Sequence, residues 1–140
     1  YGGGGTLLAA QGNPQLKAAI ALAPKTLAQS SFTGTTVPTL IAGCQADTTA
    51  PPLSWAIPFY ETIVEDTHAA YLEMRGGDHF CVTSSTTDAD KRALGKYGVA
   101  WLKRFMDNDF RYTPFLCGQP HQDDLAGSPA ISGYRENCPY

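Results

Sequence analysis

The sequence has 140 residues, enough for one domain with a buried core, and 43% of them are hydrophobic against 16% charged, with a net charge near −3. That balance excludes a disordered chain and any protein that binds nucleic acid or anionic membranes by charge. No apolar run reaches the ~18 residues that a membrane-spanning helix needs.

The chain opens YGGGGTLLAAQGNP, with no starting methionine and no signal peptide, which reads as a processed or truncated N-terminus. Residues 2–12 are predicted as a helix entered through glycines, with Leu7, Leu8, Ala9 and Ala10 facing inward and Asn13-Pro14 as the stop. Leu16–Leu22 (LKAAIAL) is a short apolar run of the kind found in strands buried on both faces. A polar loop from Pro24 to Pro38 follows, and Val37–Cys44 (VPTLIAGC) is a second buried strand. Ser54–Glu65 reads as a helix with Pro58 as a kink, and Ala69–Met74 (AAYLEM) as a third strand closed by Gly76-Gly77.

A polar stretch, VTSSTTDADK, then leads into an amphipathic helix at about 88–107. There Leu94, Tyr97, Val99, Trp101, Leu102, Phe105 and Met106 form the predicted inner face, with Lys96, Lys103 and Arg104 in water. From Asp107 the chain reads as irregular, with little core of its own. The alternation of helices with buried strands is that of a parallel-sheet α/β fold. The glycine-rich start looks like a strand-to-helix turn, so a further strand is expected before residue 1. Residues 1–140 then read as part of one such domain.

Active sites of these sheets lie at the carboxyl ends of the strands. Asp47 follows the second strand and Gly76-Gly77-Asp78-His79 the third, an order and placement that fit an imidazole base oriented by a carboxylate. Each residue alone has a plain structural reading: Asp47 could cap the turn of Thr48-Thr49-Ala50-Pro51, and His79 could be a half-buried structural residue. His68 and His121 lack such context and read as solvent-facing. Asp88, Asp90, Asp123 and Asp124 read as solvated charges or helix N-terminal charges.

Four cysteines without a CxxC pair point to disulfides and an oxidising compartment. If Asp47 and His79 meet, Cys44 and Cys81 are brought close, and a bridge there would join the two loops. Closing a loop of that length is worth roughly 3–4 kcal/mol in the chain-entropy model. Cys117–Cys138 would then close the tail. Zinc held by Cys44, Asp47, His79 and Cys81 is the rival reading, although the spacing matches no common zinc motif.

An acid followed by a histidine asks for an upstream nucleophile, and in the α/β-hydrolase order that nucleophile sits on a G-x-S-x-G elbow. Tyr1-Gly2 would be its last two positions, which places the serine one residue before Tyr1. Gly3–Gly5 would let the helix approach the sheet, and the Tyr1 N–H would serve an oxyanion hole.

On these segments, with LKAAIALAP, VPTLIAGCQADTTAP, AYLEMRGGDHF, GKYGVAWLKRFMDND and RYTPFLC, nearly the whole chain resembles the C-terminal half of a bacterial polyester hydrolase of the cutinase and PET-hydrolase family. The resemblance implies an α/β-hydrolase fold with Asp47 as triad acid, His79 as base and Tyr1 as oxyanion donor where the family usually has methionine. It makes Cys44–Cys81 similar to the extra disulfide of the mesophilic PET-hydrolase branch, and Val82–Leu94 similar to that branch's extended loop.

Lys25 stands where the family usually carries a substrate-stacking tryptophan, and Thr49 where it carries isoleucine. Trp55 and Phe80 are bulky substrate-side candidates, and Asp78 adds a carboxylate beside the base. The implied protein is a secreted, cofactor-free monomer acting on polyesters or small esters, without nucleic-acid or membrane partners. A non-catalytic polymer- or carbohydrate-binding module using Trp55, Tyr60 and Phe80 is the alternative from another class. A hydrolase fold with a lost nucleophile is a third reading.

Overall fold

In the computed structural model, which describes Tyr1–Tyr140, the three apolar runs form β1 (Ala19–Leu22), β2 (Thr39–Cys44) and β3 (Ala69–Met74). They lie side by side in chain order and pair in parallel, with Thr39 opposite both Ala19 and Ala69. All of β2 is buried because helices cover both faces of the sheet, which is why its sequence shows no alternation.

On one face Leu40, Leu72 and Met74 pack against Tyr97 and Trp101 of α3 (Asp88–Phe105). On the other, Ala21, Ile41 and Tyr71 meet Leu7 of α1 (Gly2–Gly12) and Phe59 and Ile63 of α2 (Ala56–Ile63). Each large apolar side chain fully buried this way contributes about 1.5–3 kcal/mol.

Element ends follow local chemistry. The α1 helix stops at Asn13, whose Nδ2 donates to the Ala9 carbonyl at 2.8 Å. The α2 helix begins only at Ala56, so Pro58 lies in its first turn, where no N–H needs an intrahelical partner, and it starts the helix rather than kinking it. Thr87 caps α3 by accepting the Asp90 N–H at 3.1 Å, and Asp90 itself is buried and accepts from the Thr86 hydroxyl. Lys103 and Arg104 occupy the last turn, where the helix dipole favours cations.

The α3 face is rotated from the expected one. The buried set is Asp90, Ala93, Tyr97, Ala100, Trp101 and Arg104, spaced at three and four residues, while Val99, Leu102 and Met106 are exposed. Arg104 was expected in water. Its guanidinium instead lies over the Phe110 and Phe105 rings, at 3.9 and 5.0 Å from their centroids. In α1, Ala9 faces outward although Leu7 and Ala10 are buried.

The tail is not irregular. It holds a 3₁₀ turn at Phe110–Tyr112, α4 (Pro114–Cys117), α5 (Gln119–Gly127) and β4 (Ile131–Glu136), which pairs antiparallel with β3 at the edge of the sheet. It also has core, since Leu116, Ala130, Ile131 and Tyr140 are buried in the α3-side cluster. His121, expected in solvent, is 2% exposed. Its Nδ1 is 2.9 Å from the Tyr97 hydroxyl, its ring packs on Tyr134, and burial pulls its pKa down. His68 is half-buried against Phe105 and Tyr140, and burial, with the Arg104 charge, lowers its pKa too.

Candidate active site

Asp47 and His79 lie on the loops that follow β2 and β3, neighbours in the sheet, so parallel pairing brings two distant segments together. His79 Nδ1 stands 2.6 Å from Asp47 Oδ2. The other carboxylate oxygen, Oδ1, accepts the N–H groups of Thr49 and Ala50, both at 2.7 Å. Asp47 therefore holds its own turn with one oxygen and meets the imidazole with the other.

Asp47 is 4% exposed, and burial alone would raise its pKa. The donors from Ala50, His79 and Thr49 together outweigh that and leave the carboxyl below the ordinary range. An ionised carboxylate only accepts, so the Nδ1 that faces it carries a proton. The imidazole is 32% exposed, and Nε2 makes no hydrogen bond within the chain.

The loops are tied together through Gln45 and Ala46, which sequence reading did not single out. Gln45 Oε1 accepts the Gly76 N–H, and the Gly77 carbonyl accepts the Ala46 N–H. Gly76 has φ +63°, a turn conformation suited to glycine. Asp78, expected beside the base, turns its carboxylate to the N–H of Phe80 at 2.9 Å, so the carboxylate on His79 is that of Asp47.

Cys44–Cys81 forms a disulfide spanning 37 positions under these loops, and Cys117–Cys138 forms the second. With no free cysteine left, the thiolate ligands of the zinc reading do not exist.

A cleft of about 410 Å³ has His79, Phe80 and Val82 on one side and Tyr1, Gly2 and Gly3, the N-terminus of α1, on the other. Tyr1 is 77% exposed and Phe80 62%, with the Phe80 ring edge-on to His79. A Cβ at Gly3 would lie 2.2 Å from the Leu22 carbonyl oxygen, and one at Gly4 2.2 Å from that of Lys25. Those two glycines admit the helix to the end of β1. Gly5, expected to share the task, meets nothing within 4 Å.

Lys25, Thr49 and Trp55 meet as a group. Lys25 Nζ donates to the Thr49 carbonyl at 2.9 Å and lies 5.7 Å from the Trp55 ring centroid. Trp55 in turn packs on Phe59.

Comparison with known proteins gives this arrangement its context. The family model described as PETase, PET hydrolase-like, matches residues 1–139. The chain is 47% identical over 139 residues to Cutinase 1 of Thermobifida cellulosilytica, covering 99% of this chain and 50% of the relative. It is 47% identical to a cutinase of Thermobifida fusca (strain YX), of which it covers 43%. A bis(hydroxyethyl) terephthalate hydrolase of Streptomyces coelicolor is 44% identical, with 41% of it covered. The chain spans about half the length of the curated relatives it matches. Its architecture is that of the C-terminal half of an α/β-hydrolase fold, a mostly parallel sheet between helices. From the family match over nearly every residue and the identity to these relatives, the chain belongs to the PET hydrolase-like family.

Proposed function

We propose that the protein carrying this chain is a secreted serine carboxylic-ester hydrolase that cleaves polyesters, with Asp47 and His79 as acid and base. The observation that carries the reading is the 2.6 Å contact between His79 Nδ1 and a buried Asp47 at the ends of adjacent parallel strands. Relatives named as cutinases and a bis(hydroxyethyl) terephthalate hydrolase support the substrate class. Two disulfides support an oxidising, extracellular setting. No helix is long and apolar enough to cross a membrane.

The nucleophile is a serine immediately before Tyr1, at the entrance to α1. Its Oγ attacks the acyl carbon while His79 Nε2 takes the proton, a transfer worth about 10²–10⁴-fold. Asp47 keeps the imidazole in the Nδ1–H form and stabilises the imidazolium. The Tyr1 N–H, at the N-terminus of α1, donates to the oxyanion, and one such donor is worth about 10²–10³-fold. The imidazolium protonates the departing alkoxide. Water, activated by the same nitrogen, then cleaves the acyl-enzyme and frees the acid.

A fluorophosphonate probe applied to the full-length protein tests this. The label should map to the residue directly preceding Tyr1, and labelling of another residue, or none, rejects the serine mechanism.

A further inference from the structure

The only Lys or Arg among residues 23–38 and 45–55, the loops after β1 and β2, is Lys25. It stands two residues beyond Ala23, which lines the cleft with His79. Its ammonium has three donors, of which the chain engages one, through the Thr49 carbonyl. No carboxylate of the chain pairs with it. The half-exposed Trp55 ring lies beneath it. From Lys25, a single residue, Thr49, leads to Asp47, because Thr49 also donates its N–H to Asp47 Oδ1. A cation with unspent donors is thus held one residue away from Asp47, next to a flat apolar surface.

We infer that Lys25 and Trp55 form a subsite for a free carboxylate on the substrate, so that the enzyme favours carboxylate-ended esters, the half-esters of dicarboxylic acids. The inference rests on the ester-hydrolase reading above and narrows it to a substrate class. Hydrolysis of a polyester leaves one new end as a carboxylate, one diacid unit away from the next ester. A diacid unit would lay its body on Trp55 and its carboxylate on Lys25 Nζ, with the remaining ester directed to His79. The preference follows the chain end that each previous cut creates.

The test uses the full-length protein with monomethyl terephthalate as half-ester and dimethyl terephthalate as neutral diester. The ratio of kcat/KM values, half-ester over diester, should fall about tenfold in Lys25→Met and return in Lys25→Arg, as the loss of one charge-assisted hydrogen bond predicts. Lys25→Met also loses the Thr49 bond and can loosen the Asp47 turn, but that slows both esters alike and leaves the ratio unchanged. An unchanged ratio overturns the inference and makes Lys25 a staple of the turn.

Binding of monomethyl terephthalate, followed by ligand-observed NMR in a His79→Ala background, decides the subsite without turnover. Affinity that drops about tenfold with Lys25→Met supports it, and equal affinity overturns it. If the full-length protein cleaves neither ester, the hydrolase reading falls, and this titration still settles whether Lys25 holds a carboxylate.

Discussion

Asp47 is the residue on which the site's electrostatics turn. Its folded-state pKa is depressed, so the groups it gathers prefer its charged form. A depressed carboxyl contributes stability that is fully present above its unfolded pKa, about 3.9, and is lost as pH falls through the lower folded value. The stability difference between wild type and Asp47→Asn should therefore be present at about pH 5 and shrink below about pH 4, in chemical denaturation of the full-length protein. A difference that grows on acidification would contradict the sign. The same variant leaves the geometry nearly intact but loses the Nδ1–H tautomer, so kcat should fall about 10³–10⁴-fold with little change in KM. Lys25 matters at the same scale for a different reason: its charge is placed one residue away from Asp47 without being spent on it.

At the scale of elements, α1 reaches the site because two of its five glycines, Gly3 and Gly4, have no room for a side chain. Gly4→Ala should push the helix off the Lys25 carbonyl and destabilise the protein by about 1–3 kcal/mol, as overpacking does. Gly5→Ala, pointing into open space, should be neutral or stabilise by up to about 1 kcal/mol through helix propensity. Thermal denaturation of both variants separates the two, and equal effects would contradict the packing account.

The parallel strands were legible because burial on both faces writes a continuous apolar run, and Asp47 and His79 were legible because they stand just past such runs. The antiparallel β4, ISGYRE, hid because an edge strand only partly buried carries no such run. The α5 helix hid because His121 is its one buried residue in a polar sequence. The face of α3 was misread because Ala93 and Ala100 set it as much as the large residues do, and an arginine can be buried on aromatic rings. The meeting of Lys25 with Thr49, 24 residues apart, depends on β1 and β2 lying side by side and has no local signature.

Across the whole molecule, strand order does the assembling. Parallel pairing brings the loops after β1, β2 and β3 to the carboxyl ends of the strands, where α1 also begins. A disulfide fixes the Asp47 and His79 loops from below, and the second ties α4 to the segment after β4. Such a frame holds the Asp47–His79 contact in one geometry, which is what the proposed acyl-transfer mechanism requires of it.

The most direct measurement of that claim is kcat/KM for a soluble p-nitrophenyl ester by the full-length protein and its His79→Ala variant, with folding checked by circular dichroism. Loss of the base should lower kcat/KM by at least about 10³-fold. A folded His79→Ala protein that keeps activity within about tenfold of wild type would show that the chemistry does not pass through the Asp47–His79 pair.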